Sequence, residues 1–75
     1  MNKLPVIKAK DFEKALVKMG FKKIRQHGSH IFFEHPDGRT TVVPNHPTEE
    51  LDRHLMNKII KHDLQISREE FLKHL

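Results

Sequence analysis

Apolar residues recur at Phe12, Ala15, Leu16 and Met19, the i, i+3, i+4, i+7 spacing of a single helical stripe, while Lys10, Glu13, Lys14 and Lys18 fall mostly outside it. The spacing predicts a helix over residues 8–19. Gly20 stands where a helix end wants a left-handed residue, and Phe21 is placed to fold back on the last turn. The period then shortens. Three segments, residues 21–26, 30–35 and 39–43, are rich in aromatic and β-branched side chains and are separated by Gly28-Ser29 and by Pro36-Asp37-Gly38. They predict an antiparallel meander. In its middle strand Phe32 and Phe33 are adjacent and must face opposite sides; with Ile31 and Phe33 inward, His30, Phe32 and Glu34 lie on the open face.

Pro44 ends the third strand, and Thr48 is the expected N-cap of a second helix over residues 49–62. Glu49 and Glu50 would then sit in its first turn, favourably for the helix dipole, and Leu51, Leu55, Ile59 and Ile60 would form its buried stripe. A last short helix follows Ser67, which is expected to form a capping box with Glu70, burying Phe71, Leu72 and Leu75. The order is α-β-β-β-α with a terminal helical turn. This predicts an α+β fold, a three-stranded antiparallel sheet with helices on one face, as a single domain over residues 1–75.

With 75 residues and no cysteine, the chain has room for one modest core and neither disulfides nor a Cys-rich zinc site to hold it. A multidomain enzyme is excluded. No apolar run approaches a membrane span, and the first ten residues carry no secretory pattern, so a cytoplasmic protein without membrane contact is expected. The net charge of +4 conceals an asymmetry: residues 1–25 carry +6 and residues 26–75 carry −2. A clustered basic surface attracts phosphate backbones, which makes nucleic acid the leading partner class. A solvated lysine-rich helix face is the plainer alternative.

Seven histidines, all beyond residue 26, are the unusual chemical endowment. Their spacings do not supply two chelating pairs, so no metal and no cofactor is assigned. Imidazole does suit proton transfer near neutral pH, and RNA brings its own nucleophile, the ribose 2′-hydroxyl. His30 follows Gly28-Ser29 at the start of a strand, where glycine lets a phosphate approach the backbone and Ser29 can donate a hydrogen bond. A hairpin turn beside a half-exposed histidine is the competing explanation. His35 and His46 lie at loop edges as helpers or strand-end residues, and Phe32, if open, offers a stacking surface.

The stretch Gly20-Phe21, Arg25-Gln26-His27-Gly28-Ser29-His30, Phe33, His35-Pro36-Asp37-Gly38-Arg39 and Val43-Pro44-Asn45-His46, followed later by Ile66 to Phe71, resembles the HicA (YcfA-like) toxins of prokaryotic toxin–antitoxin pairs. The resemblance covers nearly the whole chain. It implies a double-stranded-RNA-binding-domain-like fold and a ribosome-independent mRNA endonuclease held inactive by a HicB-like antitoxin, with His30 as the catalytic histidine. The resemblance also makes the basic front third an RNA-facing surface without saying which side chains touch RNA; beside it, Gly28, Ser29, Lys22, Lys23 and Arg25 are the RNA-positioning residues expected from their place around the turn, His35 and His46 the candidate auxiliaries, and a monomer the free form. Two departures stand out: Ile31 where many members have a second histidine, and Arg53-His54-Leu55 where the family usually has Gly-Thr-Leu. The second of these keeps open a catalytically inactive RNA-binding or antitoxin-binding version of the same fold.

Overall fold

A computed structural model describes residues 4–75. Helix α1 (Ala9–Lys18) is followed by strands β1 (Lys22–His27), β2 (His30–Glu34) and β3 (Thr40–Pro44), then α2 (Arg53–Lys58), a π-helical segment (Ile59–Leu64) and α3 (Arg68–Leu72). The strands form one antiparallel sheet in the order β1-β2-β3. This is the α+β, double-stranded-RNA-binding-domain-like arrangement expected. None of the helices among the described residues is long and apolar enough to cross a membrane.

The stripe of α1 is buried as its spacing requires, with Phe12, Ala15 and Leu16 at most 1% exposed. Its end is also as read. Gly20 takes φ +101°, its N–H bonds the Val17 carbonyl, and the N–H of buried Phe21 reaches back to Leu16. Gly28 and Gly38 hold the positive-φ positions of the two hairpin turns. Ile31 and Phe33 face inward with their cross-strand partners Val43 and Thr41, all nearly inaccessible, while His30, Phe32 and Glu34 take the other face. Strand β1 is exposed along its whole length, and its pairing with β2 slips at Ile24, so that the bulge leaves Ile24 52% exposed.

The second helix begins later than its sequence suggests. Thr48 is not its cap, and Glu49 and Glu50 are not in its first turn: Asp52 is the N-cap, its carboxylate accepting the Leu55 N–H at 3.1 Å. The reason lies in α1, whose N-cap Lys8 offers no side-chain acceptor. The carbonyls of Glu49 and Pro47 take the Ala9 and Lys10 N–H groups instead, and Lys8 pairs with Glu50 in an isolated bridge. Residues 46–49 therefore turn beside the start of α1 and Glu50 bridges to it, satisfying donors that a helix leaves open. Leu51 is buried but from the irregular segment ahead of α2, and Leu55 is only half-buried.

Before α3, Ser67 Oγ accepts the Glu70 N–H at 3.0 Å, which is one half of the expected capping box. The Glu70 carboxylate turns to Lys73 and His74. Phe71 is buried against Phe12, ring centroids 4.9 Å apart, whereas Leu72 is half-buried and Leu75 is 45% exposed, contrary to the expectation that all three are covered.

Candidate nucleic-acid site

Gly28-Ser29 makes the tight turn between β1 and β2, with His27 and His30 paired across it. The loop leaving β3 is tied to that turn, because the Asn45 N–H donates to the Ser29 carbonyl at 2.7 Å. Space is open where a Cβ would project from Gly28, so a phosphate can approach the backbone there. Among the described residues the Ser29 hydroxyl is in no hydrogen bond, which leaves it as a donor toward the same space.

His30 is exposed and lines a cleft of about 370 Å³ whose other walls are Val42 and Pro44 of β3 and Leu55, Lys58, Ile59 and Asp63 of α2 and the π segment. A second recess, sharing Pro44 and Leu55 with the first, contains His46, whose Nδ1 lies 3.4 Å from the Glu49 carboxylate. His30 and His46 thus occupy neighbouring hollows. Phe32, two residues along the same face from His30, is half-buried and carries the Arg25 guanidinium 4.3 Å above its ring. The open face therefore presents an arginine stacked on an aromatic ring beside an exposed imidazole.

The other predicted residues are distributed differently. Lys22 pairs with Glu34 at the far end of the sheet. Lys23 opens onto the opposite side, a groove of about 560 Å³ between α1 and β2 that Lys10, Lys14 and Lys18 also line. In that groove burial raises the Glu13 carboxyl above its ordinary value, with Lys23 acting against it. Ile31, next to His30, points into the core at 2% exposure. Arg53 and His54 are exposed at the first turn of α2, next to Leu55 in the wall of the cleft.

His35 lies just past the other end of β2, about 16 Å from His30 by five strand steps of roughly 3.3 Å. Its Nε2 contacts the Met19 carbonyl at 3.0 Å, its Nδ1 accepts the Asp37 N–H at 3.1 Å, and its ring stands edge-on to Phe21. With Nδ1 accepting, the Nε2–H tautomer is the one that donates to Met19. Arg39 completes the arrangement: its guanidinium grips both oxygens of Asp37, donates to the Leu64 carbonyl at 2.6 Å and lies over Phe21. The hydrogen bonds from Arg39 hold the Asp37 carboxyl below its ordinary value. His35-Pro36-Asp37-Gly38-Arg39 consequently fastens the second hairpin to the end of α1 and to the π segment.

Among the described residues no three His, Asp or Glu side chains come together as a metal site. The family model described as HicA toxin of bacterial toxin-antitoxin matches residues 9–63, from the first residue of α1 almost to the end of the π segment. The chain belongs to the HicA toxin family. It is accordingly a toxin of a toxin–antitoxin pair, with an antitoxin as its partner. No curated protein matches it. In this HicA toxin the Gly-Ser-His turn stands open to solvent, and the His-Pro-Asp-Gly-Arg element is spent on holding the fold.

Sequence reasoning did not find Lys58 or Asp63. They reach the His30 cleft through the π turn, whose i→i+5 bonding no periodicity in the sequence announces. The Arg25–Phe32 stack was also missed, although cross-strand neighbours on an open face are where such a pair forms.

Proposed function

We propose that this toxin is a ribosome-independent mRNA endoribonuclease in which His30 is the general acid/base. The observation that carries the reading is His30 itself, exposed at the mouth of a cleft and immediately after a glycine turn with open space above it. A phosphate seated on Gly28 and Ser29 would bring the adjoining ribose within reach of the imidazole. His30 then removes the 2′-hydroxyl proton, the 2′-oxygen attacks the phosphorus, and the leaving 5′-oxygen is protonated. The nucleophile belongs to the substrate, so the scheme requires no metal or cofactor.

Arg25 and Phe32 suit the flanking nucleotides, one as a phosphate contact and the other, beneath the guanidinium, as part of a stacking surface. Lys22 and Lys23 extend the positive field on either side of β1. His46, in the neighbouring recess, is the better placed auxiliary, because both nitrogens of His35 are engaged in holding the fold. Control would come from a HicB-like antitoxin, the toxin acting in the cytoplasm as a monomer when free.

The test is incubation of antitoxin-free protein with a defined RNA in EDTA, beside His30→Ala at equal soluble concentration. Cleavage by the wild-type chain alone is expected. RNA left intact by both, with salt-sensitive binding retained in both, would identify a binding-only toxin domain and end the nuclease reading. Loss of RNA binding with antitoxin association intact would identify a protein-interaction module.

A further inference from the structure

The cleft in front of His30 is closed on its far side by α2 and the π segment, and Lys58 is the one Lys or Arg among the described residues that line it. An ordinary α-helix would not present Lys58 and Asp63 together: at about 100° per residue, positions five apart diverge by roughly 140°. The i→i+5 pattern, seen where the Gln65 N–H returns to the Ile60 carbonyl, brings residues five apart toward one side. Both side chains accordingly line one cleft.

Asp63 is anchored there, its Oδ2 accepting the Thr41 hydroxyl at 2.9 Å. Lys58 is exposed and in no ion pair among the described residues, so its ammonium is available to an anion. Leu55, Ile59 and Val42 supply apolar walls, against which a cation acts more strongly on a bound phosphate than it would in open water. Short π turns within helices recur at functional sites.

We infer that Lys58 is a second catalytic residue, its ammonium binding a non-bridging oxygen of the scissile phosphate while His30 handles the protons. The inference rests on the nuclease reading above. In the step concerned the 2′ O–H bond breaks, its proton passing to the His30 imidazole, and the 2′-oxygen forms a new bond to phosphorus. The bond from phosphorus to the 5′-oxygen breaks, and that oxygen takes the proton back from the imidazolium. Negative charge builds on the non-bridging oxygens between these events, where a fixed cation contributes most.

The experiment is single-turnover cleavage at saturating RNA by the wild-type chain, Lys58→Ala, Lys58→Arg, Lys61→Ala and His30→Ala. Lys61 is exposed on the same segment but does not line the cleft, so it controls for loss of one positive charge. Lys58→Ala is expected to slow cleavage roughly 10- to 100-fold with RNA affinity changed less than about threefold, and Lys58→Arg to restore most of the rate. Lys61→Ala should stay within about twofold of wild type, the range of a screened surface charge. Sulfur substitution at a non-bridging oxygen of the scissile phosphate should slow the wild-type enzyme and lose its effect in Lys58→Ala, which a structural role would not produce. With His30→Ala inactive, a wild-type rate in Lys58→Ala, or an equal loss in Lys61→Ala, overturns the inference. Intact RNA with the wild-type chain overturns the nuclease reading, normal cleavage by His30→Ala overturns the role given to His30, and either result overturns this assignment with it.

Discussion

Gly20 and Gly38 have nearly the same backbone, φ +101° and +99°, but different surroundings, and this makes a quantitative test of how the His35 element is fastened. A Cβ added at Gly38 meets nothing within 4 Å, whereas one added at Gly20 falls 2.9 Å from His35 Nε2 and 3.3 Å from its Cδ2. Gly38→Ala should therefore show backbone strain alone, about 1–3 kcal/mol, reduced by the roughly 0.4–1 kcal/mol that alanine gains through a less flexible unfolded chain. Gly20→Ala must in addition displace the imidazole from the Met19 carbonyl and from the Phe21 edge, contacts of about 1 kcal/mol each. The expected excess over Gly38→Ala is about 1–2 kcal/mol. In a His35→Ala background the ring is gone, and the excess should vanish. Urea unfolding followed by circular dichroism suits a chain with neither tryptophan nor tyrosine. If Gly20→Ala and His35→Ala add to within about 0.5 kcal/mol, the imidazole does not sit against Gly20, and the role given to His35 is wrong.

Further outcomes follow from the same contacts. Asp52→Ala should destabilise the protein by about 1 kcal/mol through loss of the α2 cap, while Thr48→Ala stays within about 0.5 kcal/mol; chemical denaturation of the two would show the reverse order if the helix began at residue 49. Asp37 titrates below its ordinary value in the folded chain, so the native state binds fewer protons than the unfolded one as pH falls through that window. Wild type should therefore exceed Asp37→Asn in stability at neutral pH and lose the advantage as pH drops below 3.8; a gap that is constant into strong acid would contradict this. Arg25→Ala should weaken RNA binding and lower the slope of log affinity against log salt by about one, read by fluorescence anisotropy across a salt series. An unchanged slope would remove Arg25 from the phosphate contacts.

Much of this fold is local and was therefore readable. The stripe Phe12, Ala15, Leu16 needs only helical spacing, Gly20 needs only the rule for helix ends, and the inward placement of Ile31 and Phe33 needs only strand alternation. The errors share a cause. Glu49 and Glu50 have the composition of a first helical turn, but Ala9 and Lys10 lack a side-chain cap and take the Pro47 and Glu49 carbonyls, a demand that arises forty residues earlier in the chain. Leu75 belongs to a helical pattern, yet α3 ends at Leu72, so Leu75 falls past the helix and lines an open groove with Val6, Ile7 and Ala15 instead of joining Phe71 against Phe12.

The same distinction separates the two halves of the candidate site. Gly28, Ser29 and His30 are consecutive, so turn chemistry alone was enough to single them out, and the fold leaves all three exposed. The opposite wall is assembled by tertiary contacts: Thr41 fixes Asp63, Arg39 fixes the Leu64 carbonyl, and the π bonding between them decides which side chains look back at His30. The Gly-Ser-His turn thus holds the histidine in place while the helix across the cleft decides what the histidine faces. Arg53 and His54 at the start of that helix are exposed and do not line the cleft, whereas Lys58 on the same helix does. On the proposed reading, cleavage needs both the Gly-Ser-His turn and what the second helix presents to it, and the contrast between Lys58→Ala and Lys61→Ala measures the second requirement.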